Sequence, residues 1–440
     1  MRHLDVVLVG ASGFTGRLVA QYLARRGGKS VKFALAGRSI ERLTAVRDEV
    51  AAHAPASAAW DPPLITCDLQ DVDALTTLAS RTRVVISCAG PFSLCGTPLV
   101  GACAAAGTDY VDINGETPWV RLLIDRFDAQ AAANGARIIP NCGYTVPSDL
   151  SAHHAAQLLH MRHGRTATRV RSLVQFNGRL SGGTMATGLL LDQADDALQA
   201  ERRDPYLLGG TPSDGLRAED ADPTIAEYDA SLGVWTAPFW MADITSRVVR
   251  RSSQLFQEAA AAGDGPSYFA GTYRYNERAL AKDEGVARNL AMPTPTPERR
   301  QRLIERGKLP APGEGPSAAV RASSWFRNFA VAEADGGDGD GSTVAVLTSV
   351  RGGDPGYEET SKMVAEAALL LATKREALPR LRRSSGHYGG VITPAFGLGR
   401  PLRQELHARG VEFREHALEA ISLEEIAVAL KTEALMPVKG

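Results

Sequence analysis

Apolar segments of strand length alternate with amphipathic segments over the first third of the chain. Residues 6–9 form the first apolar run, and beyond a glycine-rich turn the apolar positions recur at helical spacing, which predicts a strand and then a helix. Further apolar runs stand at 31–36, 64–67, 84–88, 109–113 and 138–139. Six strands, each followed by a helix or loop, predict a doubly wound parallel sheet that binds ligands at the carboxyl ends of its strands.

The regular alternation of predicted strands and helices ends after residue 146. A helix is predicted from Pro147 to about residue 161, and another follows Gly353 to about residue 371. Strands are predicted at 170–176, 239–249, 268–275 and 344–350, with a helix opening near Ser181 and running to about residue 200. We therefore expect an α/β fold with a Rossmann sheet and a second, α+β domain.

Three glycines spaced by three follow the first predicted strand. Gly10 permits the tight turn off the strand, Gly13 lets the backbone approach a pyrophosphate, and Gly16 lets the helix pack close to the sheet. The amides at the helix N-terminus then face the anion. The predicted phosphate-binding loop consists of Gly10, Ser12, Gly13, Phe14, Thr15 and Gly16.

The residue just after the second predicted strand decides between the two nicotinamide dinucleotides. A carboxylate there binds the ribose 2′-hydroxyl of NAD, whereas an arginine accommodates the 2′-phosphate of NADP. This chain has Arg38 and Ser39 there, with no carboxylate before Glu41. The sequence therefore favours NADP(H) over NAD, the alternative being a solvated surface arginine.

Several candidate side chains stand at the other strand ends. Residues Cys88, Ala89, Gly90 and Pro91 follow the fourth strand and are predicted to run beside the nicotinamide ribose. Asp112 and Glu116 border the same crevice, either touching substrate or capping the helix that begins at Thr117. Tyr144 follows the sixth strand and is either a proton donor or a packing residue.

Candidates for substrate binding stand in the second domain. Residues Arg179, Ser181, Gly182, Gly183 and Thr184 precede or open a predicted helix and could hold a carboxylate or phosphate, or simply cap that helix. Arg247 could hold an acidic substrate tail or pair at the surface.

Composition narrows the class of protein. The chain has 440 residues, which is too long for a single hydrophobic core, and its hydrophobic fraction is 44%. Its net charge of −1 gives no excess of basic residues for binding nucleic acid. It has no apolar run of membrane-spanning length, and the first residues lead straight into a strand, so neither a membrane span nor a signal peptide is expected. Five cysteines without a CxxC pair fit a reducing cytoplasm.

Two groups of residues resemble metal-binding or reactive sites but lack the neighbours that would complete one. His153, His154, His160 and His163 lie on one predicted helix, but no cysteine and no carboxylate beyond Asp149 completes a ligand set, so no metal site is expected. Cys95 and Cys142 lie in loops without a neighbouring base, which indicates packing residues and not nucleophiles.

Longer motifs resemble a known family. The segments GASGFTG, AGRS, SCAGPFSLCGTPLVGACAAAGTDYVDINGE, CGYTVPSDL, SGGT, GDPGYEET and GGVITPA together resemble the saccharopine dehydrogenase-like oxidoreductases, and residues 237–253 look closest to the bacterial trans-acting enoyl reductase branch. The resemblance implies an NADP-binding Rossmann domain formed by residues 1–146 and about 385–440. It also implies an inserted substrate and oligomerisation domain at 147–384, which is compatible with a homodimer.

The glycine-rich loop and Arg38 predict an NADP-dependent oxidoreductase. The resemblance to the enoyl reductase branch implies that it reduces a C=C or C=O bond of an acyl or polyketide-like small molecule, including a carrier-bound or lipid-like chain. Tyr144, Thr393 and the amides of residues 181–184 are the candidate donors to the substrate carbonyl. One alternative is a saccharopine- or opine-type dehydrogenase acting on an amine or imine through Arg179 and Arg247. Another is a sensor that binds NADPH without turnover.

Overall fold

The computed structural model describes residues 2–27, 30–53, 61–292, 296–306, 308–311, 313–336, 342–383, 385–416 and 423–435. The strands are β1 Leu4–Val9, β2 Phe33–Gly37, β3 Leu64–Thr66, β4 Thr82–Ser87, β5 Asp109–Asp112, β6 Arg137–Ile139, β7 Ala167–Asn177, β8 Glu227–Asp229, β9 Val234–Pro238, β10 Phe269–Ala281, β11 Trp325–Asp335, β12 Thr343–Gly352, β13 Gly390–Val391 and β14 Glu412–Glu415. The helices are α1 Phe14–Gly27, α2 Ile40–His53, α3 Val72–Arg81, α4 Phe92–Cys95, α5 Thr97–Ala106, α6 Thr117–Ala133, α7 Val146–His163, α8 Gly182–Asp192, α9 Asp196–Arg203, α10 Ala242–Ala261, α11 Glu284–Leu290, α12 Pro297–Glu305, α13 Ala318–Ala322, α14 Glu358–Thr373, α15 Pro394–Gly397, α16 Gly399–His407 and α17 Leu423–Leu435.

The first sheet is the predicted doubly wound parallel sheet. Its seven strands have the order β13-β6-β5-β4-β1-β2-β3, and every neighbouring pair is parallel. The chain leaves β1 toward β2 and β3 and then crosses back to β4, so the carboxyl ends of β1 and β4 flank the topological switch point. The six predicted strands are confirmed, and β13 from the C-terminal segment adds a seventh.

The second sheet is mixed and contains the remaining strands. Its order is β14-β12-β11-β7-β10-β9-β8, in which β7 and β10 are parallel and the other pairs are antiparallel. The long central strands β7, β10, β11 and β12 carry mostly buried side chains, because helices cover this part of the sheet.

Two helices connect the sheets into one packed body. Helix α7 packs on β7, β11 and β12 of the mixed sheet, whereas α14 packs on β1, β4 and β5 of the parallel sheet. A single hydrophobic cluster accordingly extends from Val6 and Leu8 in β1 to Val346 and Val350 in β12. The two sheets therefore share one hydrophobic core.

The predicted division into two domains stays a prediction, and the contacts show which sheet each segment packs against. Strand β13 and helix α15 return to β6 of the parallel sheet, but β14, further along, hydrogen-bonds to β12 of the mixed sheet. Helix α14, within the predicted inserted domain, lies on the parallel sheet. The chain thus crosses between the two sheets more often than a single insertion implies.

One predicted strand is wrong. Residues 239–249 are not a strand: β9 ends at Pro238 and helix α10 begins at Ala242. Helix α10 is buried on most of its circumference, and its buried set includes Arg247, Arg250 and Arg251. The prediction followed the apolar residues at 239–249 as a run, whereas their spacing from Ala242 onward suits an amphipathic helix whose buried face includes charged residues.

No helix in the described ranges is long and apolar enough to cross a membrane. All five cysteines, Cys67, Cys88, Cys95, Cys103 and Cys142, are free thiols in the structure. Burial raises the pKa of each of them, which keeps the thiols protonated.

Candidate functional site

The glycine-rich loop lies at the switch point of the parallel sheet. Gly10 has a φ of +79°, and a Cβ there would lie 2.8 Å from the backbone nitrogen of Ala89 in the loop after β4. A Cβ on Gly16 would collide with the carbonyl oxygen of Gly10, so any larger residue would push α1 off the sheet. These two glycines bring the loop after β1 and the loop after β4 into direct contact.

The same loop offers an open face to a phosphate. A Cβ on Gly13 would meet only the Gly10 carbonyl, at 3.3 Å, and the first turn of α1 carries no acidic residue. An open glycine beside a helix N-terminus free of negative charge suits a pyrophosphate group. The donor set therefore fits a dinucleotide, with residues 10–16 as its phosphate-binding loop.

The ribose end of the predicted dinucleotide site lies after β2. Arg38 is exposed, and its guanidinium makes no hydrogen bond or ion pair with the described residues. The hydroxyl of Ser39 donates to Glu41 at 2.7 Å and accepts from the Arg42 amide at 3.2 Å. Ser39 therefore caps α2, and Arg38 is the side chain left available for a 2′-phosphate.

Glu116 holds the loop on the other side of the switch point. Its two carboxylate oxygens accept hydrogen bonds from the backbone amides of Phe92, at 2.7 Å, and Ser93, at 2.9 Å. These amides open the short helix α4 directly after Ala89, Gly90 and Pro91. Of the two alternatives for Glu116, capping of α6 by a side-chain hydrogen bond is not observed, because the carboxylate makes no such bond to that helix.

Asp112 accepts hydrogen bonds from the turns after β5 and β6. It is fully buried and accepts hydrogen bonds from the Tyr110 hydroxyl at 3.0 Å, from the Asn114 amides, and from the Asn141 backbone at 2.9 Å. Burial raises its pKa to about 6, against the opposing effect of these donors. Its hydrogen bonds position the neighbouring turns.

Tyr144 lies just after β6 at the same edge of the sheet. Its ring packs edge-on against Phe326 of β11, with ring centroids 5.2 Å apart. Its hydroxyl makes no hydrogen bond to the described residues, and the side chain is only partly buried. Burial first, and then the negative charge of Glu277, raise the pKa of Tyr144 far above its ordinary value. The hydroxyl therefore remains a proton-bearing donor.

Thr393 belongs to a buried hydroxyl–carboxyl cluster. Its hydroxyl lies 2.6 Å from that of Ser252 in α10, which in turn donates to Asp149 in α7 at 2.5 Å. The other oxygen of Asp149 accepts from the Ala395 amide at 2.7 Å, and burial raises the pKa of Asp149 to about 7. Thr393 thus helps to anchor the returning C-terminal segment to α7 and α10.

The residues at the start of α8 cap that helix and are joined to the phosphate-binding loop through Tyr357. The amides of Ser181 and Gly182 donate to the Tyr357 hydroxyl and to the Glu314 carbonyl, and the Thr184 amide donates to the Ser181 hydroxyl. Of the four amides, only that of Gly183 has no partner in the described part of the chain. The predicted anion site at 181–184 therefore has one amide left to offer.

Tyr357 joins α8 to the phosphate-binding loop. Its ring packs edge-on against Phe14, with centroids 5.1 Å apart, while its hydroxyl binds the start of α8. Arg321 lies over the other side of the Phe14 ring at 5.6 Å. Phe14 is therefore a contact between the nucleotide loop and the second half of the chain.

The two arginine candidates have different surroundings. Arg247 is fully buried, and both of its terminal nitrogens bind the carboxylate of Asp222. Arg179 is exposed and makes no side-chain bond to the described residues. A substrate carboxylate could reach Arg179 without disturbing a pair, whereas Arg247 would have to give up Asp222.

The histidines of α7 make packing contacts. His153 stacks on Phe256 with ring centroids 4.2 Å apart, and burial lowers its pKa to about 3, so it is neutral. Within the described ranges, no group of three or more His, Cys, Asp or Glu side chains could hold a metal ion.

Three aromatic residues at the site were not identified from the sequence: Phe176, Trp240 and Tyr357. Each stands next to a glycine or proline turn, namely Gly178, Pro238 and Gly356. A turn that projects an aromatic side chain is a weak signal on its own. Their partners are distant in sequence, so only the folded chain brings them together.

Comparison with known proteins agrees with this site. Residues 6–139 match the family model of the saccharopine dehydrogenase NADP-binding domain. A Mycobacterium tuberculosis protein named as a candidate trans-acting enoyl reductase is 36% identical over 94% of this chain and 97% of its own length. Trans-acting enoyl reductases of Mycobacterium ulcerans and Mycobacterium bovis are 32% and 33% identical, each over 93% of this chain and 97% of their own length.

Among solved structures, saccharopine dehydrogenase from Saccharomyces cerevisiae aligns over 94% of this chain and 100% of its own, with a TM-score of 0.47 and 13% identity. The full-length similarity to the mycobacterial proteins and the matching NADP-binding domain agree with the glycine loop and the unpaired Arg38. The chain therefore belongs to the saccharopine dehydrogenase-like family, in its trans-acting enoyl reductase branch, and is an NADP-dependent oxidoreductase.

Proposed function

We propose that the protein reduces the carbon–carbon double bond of an enoyl thioester with NADPH. The names of the full-length relatives support this reaction class. The observation that carries the proposal is the hydroxyl of Tyr144, a proton-bearing donor that follows β6 of the parallel sheet and has no hydrogen-bond partner among the residues that the structure describes. A thioester substrate is compatible with delivery on a carrier.

The side chains near the crevice have distinct tasks in this reaction. NADPH, when bound, supplies the hydride, and negative charge then develops on the carbonyl oxygen of the substrate. In this proposal the Tyr144 hydroxyl, which keeps its proton, donates a hydrogen bond to that oxygen. Glu116 and Asp112 hold the flanking loops in place through buried hydrogen bonds.

The other candidate donors are less available. The Thr393 hydroxyl is shared with Ser252 in a buried cluster, and three of the four amides at 181–184 are already bonded. A dicarboxylic amino-acid substrate calls for two free arginines, but Arg247 is paired with Asp222. These contacts favour the enoyl thioester over the opine-type substrate.

The first test is Tyr144→Phe, which keeps the ring contact with Phe326 and removes the hydroxyl. We expect kcat for NADPH oxidation with a trans-2-enoyl thioester to fall by about a hundredfold or more, as loss of a proton or oxyanion donor does. The Kd for NADPH should not change. Tyr273→Phe is the matched control, because the Tyr273 hydroxyl also lacks a hydrogen-bond partner among the described residues but is buried in the hydrophobic core.

Two results would contradict the proposal separately. Wild-type kcat in Tyr144→Phe would mean that another group donates to the substrate. Failure of the wild-type protein to oxidise NADPH with any enoyl thioester, despite binding the cofactor, would reject the reaction class itself.

A further inference from the structure

A large aromatic side chain stands half-exposed at the start of α10. Trp240 is 44% exposed and lies in the turn between β9 and α10. Its ring is held by Phe176 and by Phe239, with centroids 6.1 Å and 6.2 Å away. Two ring contacts orient the indole, so the turn presents a fixed apolar surface to the solvent.

The aromatic side chains continue inward from Trp240 as a row. Phe176, near the end of β7, is half-buried and is the direct cross-strand neighbour of Phe326 in β11. Phe326 is fully buried and packs against the ring of Tyr144. The row Trp240, Phe176, Phe326 and Tyr144 thus leads from the surface to the proposed proton donor.

The N-terminal end of α10, which follows Trp240 directly, lies near the carboxyl edge of the parallel sheet. The Cδ1 atom of Ile244 lies 3.1 Å from where a Cβ on Gly115 would stand, and Gly115 follows β5 of the parallel sheet. Trp240 precedes Ile244 by four residues and lies two residues before the helix begins at Ala242. The segment that carries Trp240 therefore leads into the part of α10 that contacts this edge of the sheet.

The row has one polar group at each end, the Tyr144 hydroxyl and the indole N–H of Trp240. The Tyr144 hydroxyl stands where a polar reacting group would sit, and the ring faces of Phe176 and Trp240 offer apolar surface. A ligand that fits this arrangement has a polar carbonyl at one end and an apolar chain extending from it. Continuity with Tyr144 therefore favours the substrate's own chain over a separate ligand.

We propose that Trp240 and Phe176 form the wall that binds the apolar acyl chain of the substrate and that Trp240 determines how strongly longer chains are preferred. This inference rests on the proposed enoyl thioester substrate. Each methylene that lies on the wall leaves water and gains contact with rigid rings, so the wall favours long chains over short ones. Short chains end before they reach Trp240.

The test compares two chain lengths in one pair of variants. Initial rates are measured with NADPH and trans-2-enoyl thioesters of about four and about twelve carbons. We expect Trp240→Ala to lower kcat/KM by about tenfold or more for the long thioester and by less than about twofold for the short one. Trp240→Phe, which keeps a ring, should retain most of the long-chain rate.

Tyr228→Ala is the control for loss of an exposed aromatic residue. Tyr228 is 49% exposed in β8, packs against Trp235, and should leave both rates unchanged. An equal loss of kcat/KM for the long and the short thioester in Trp240→Ala would indicate a purely structural role and overturn the proposal. An unchanged kcat/KM for the long thioester would also overturn it.

A binding measurement separates this inference from the proposed reaction. Calorimetric titration of the NADP⁺-loaded protein with the saturated thioester of about twelve carbons requires no turnover. Weaker binding to Trp240→Ala, by about tenfold, would support the wall even if no enoyl thioester is reduced. Absence of binding to the wild-type protein would overturn the wall.

Discussion

At the scale of single residues, the features that allow a dinucleotide to bind were predictable from local sequence. Gly10, Gly13 and Gly16 act within one turn, and Arg38 follows its strand directly. Gly13 and Gly16 meet the carbonyl of Gly10, a few positions away, so a sequence displays this part of the loop, whereas the approach of Gly10 to Ala89 becomes visible only in the fold. The partner of Arg247 could not be predicted, because Asp222 lies in an irregular segment that no periodicity describes.

Substitution of Arg38 tests the cofactor preference at this scale. Arg38→Ala removes an exposed guanidinium that makes no hydrogen bond or ion pair within the described ranges, so the fold should be unaffected. Loss of a charge-assisted contact to the 2′-phosphate should weaken NADPH binding by about 1–3 kcal/mol and leave NADH binding unchanged. Fluorescence titration with both cofactors measures the difference.

Arg126→Ala is the matched control, because Arg126 is also exposed and unpaired within the described ranges but lies on α6. An equal loss of NADPH affinity in both variants would attribute the effect to net charge. Equal loss of NADPH and NADH binding in Arg38→Ala would show that the side chain does not recognise the 2′-phosphate.

At the scale of elements, the parallel strands were predictable and α10 was not. Each strand of the parallel sheet is a short apolar run, since both faces of the sheet are covered. Helix α10 buries Arg247, which pairs with the carboxylate of Asp222, and Arg250, which donates to three backbone carbonyls of other segments. A pattern of residue types contains no information about such distant partners.

Glu116 shows how one element can fix another that is distant in sequence. Its carboxylate replaces the missing intrahelical partners of the first two amides of α4. Glu116→Gln keeps one acceptor and turns an amide group toward the second N–H. We expect the free energy of unfolding to fall by about 1–3 kcal/mol, because a buried donor loses its partner.

Urea denaturation measures this loss, and Glu41→Gln is the control. Glu41 accepts a single hydrogen bond from Ser39 at the exposed start of α2, so its substitution should have a much smaller effect. If Glu116→Gln were as stable as the wild type, the two amides would have another acceptor, and the loop of residues 89–91 would not depend on Glu116.

At the scale of the whole molecule, the link between the two halves depends on contacts that are far apart in sequence. Phe14 meets Tyr357, and Asp149 of α7 meets Ser252 of α10 and the returning segment at Ala395. Each residue occurs in a motif visible in the sequence. Their pairing follows from the way α7, α10 and α14 cross between the sheets, which local patterns do not specify.

Asp149 makes this link sensitive to pH. Its pKa is raised by burial to about 7, above the ordinary value of 3.8, so the folded protein holds a proton that the unfolded chain releases. The stabilising contribution is therefore complete below about pH 4 and is lost as the pH rises through about 7. Asp149→Asn mimics the protonated acid, since its amide can donate to Ser252 and its oxygen can accept from Ala395.

We expect the free energy of unfolding of Asp149→Asn, relative to that of the wild type, to increase as the pH rises from about 4 to about 7. Above that range the difference between the two should stay constant. Chemical denaturation at each pH gives both curves, and the difference between them removes the titration of other groups, including Asp112, whose pKa is also raised. A difference that stays constant with pH would show that Asp149 is ionised throughout. The contact between α7, α10 and the returning segment would then be held by a buried carboxylate whose charge the hydroxyl and amide donors stabilise.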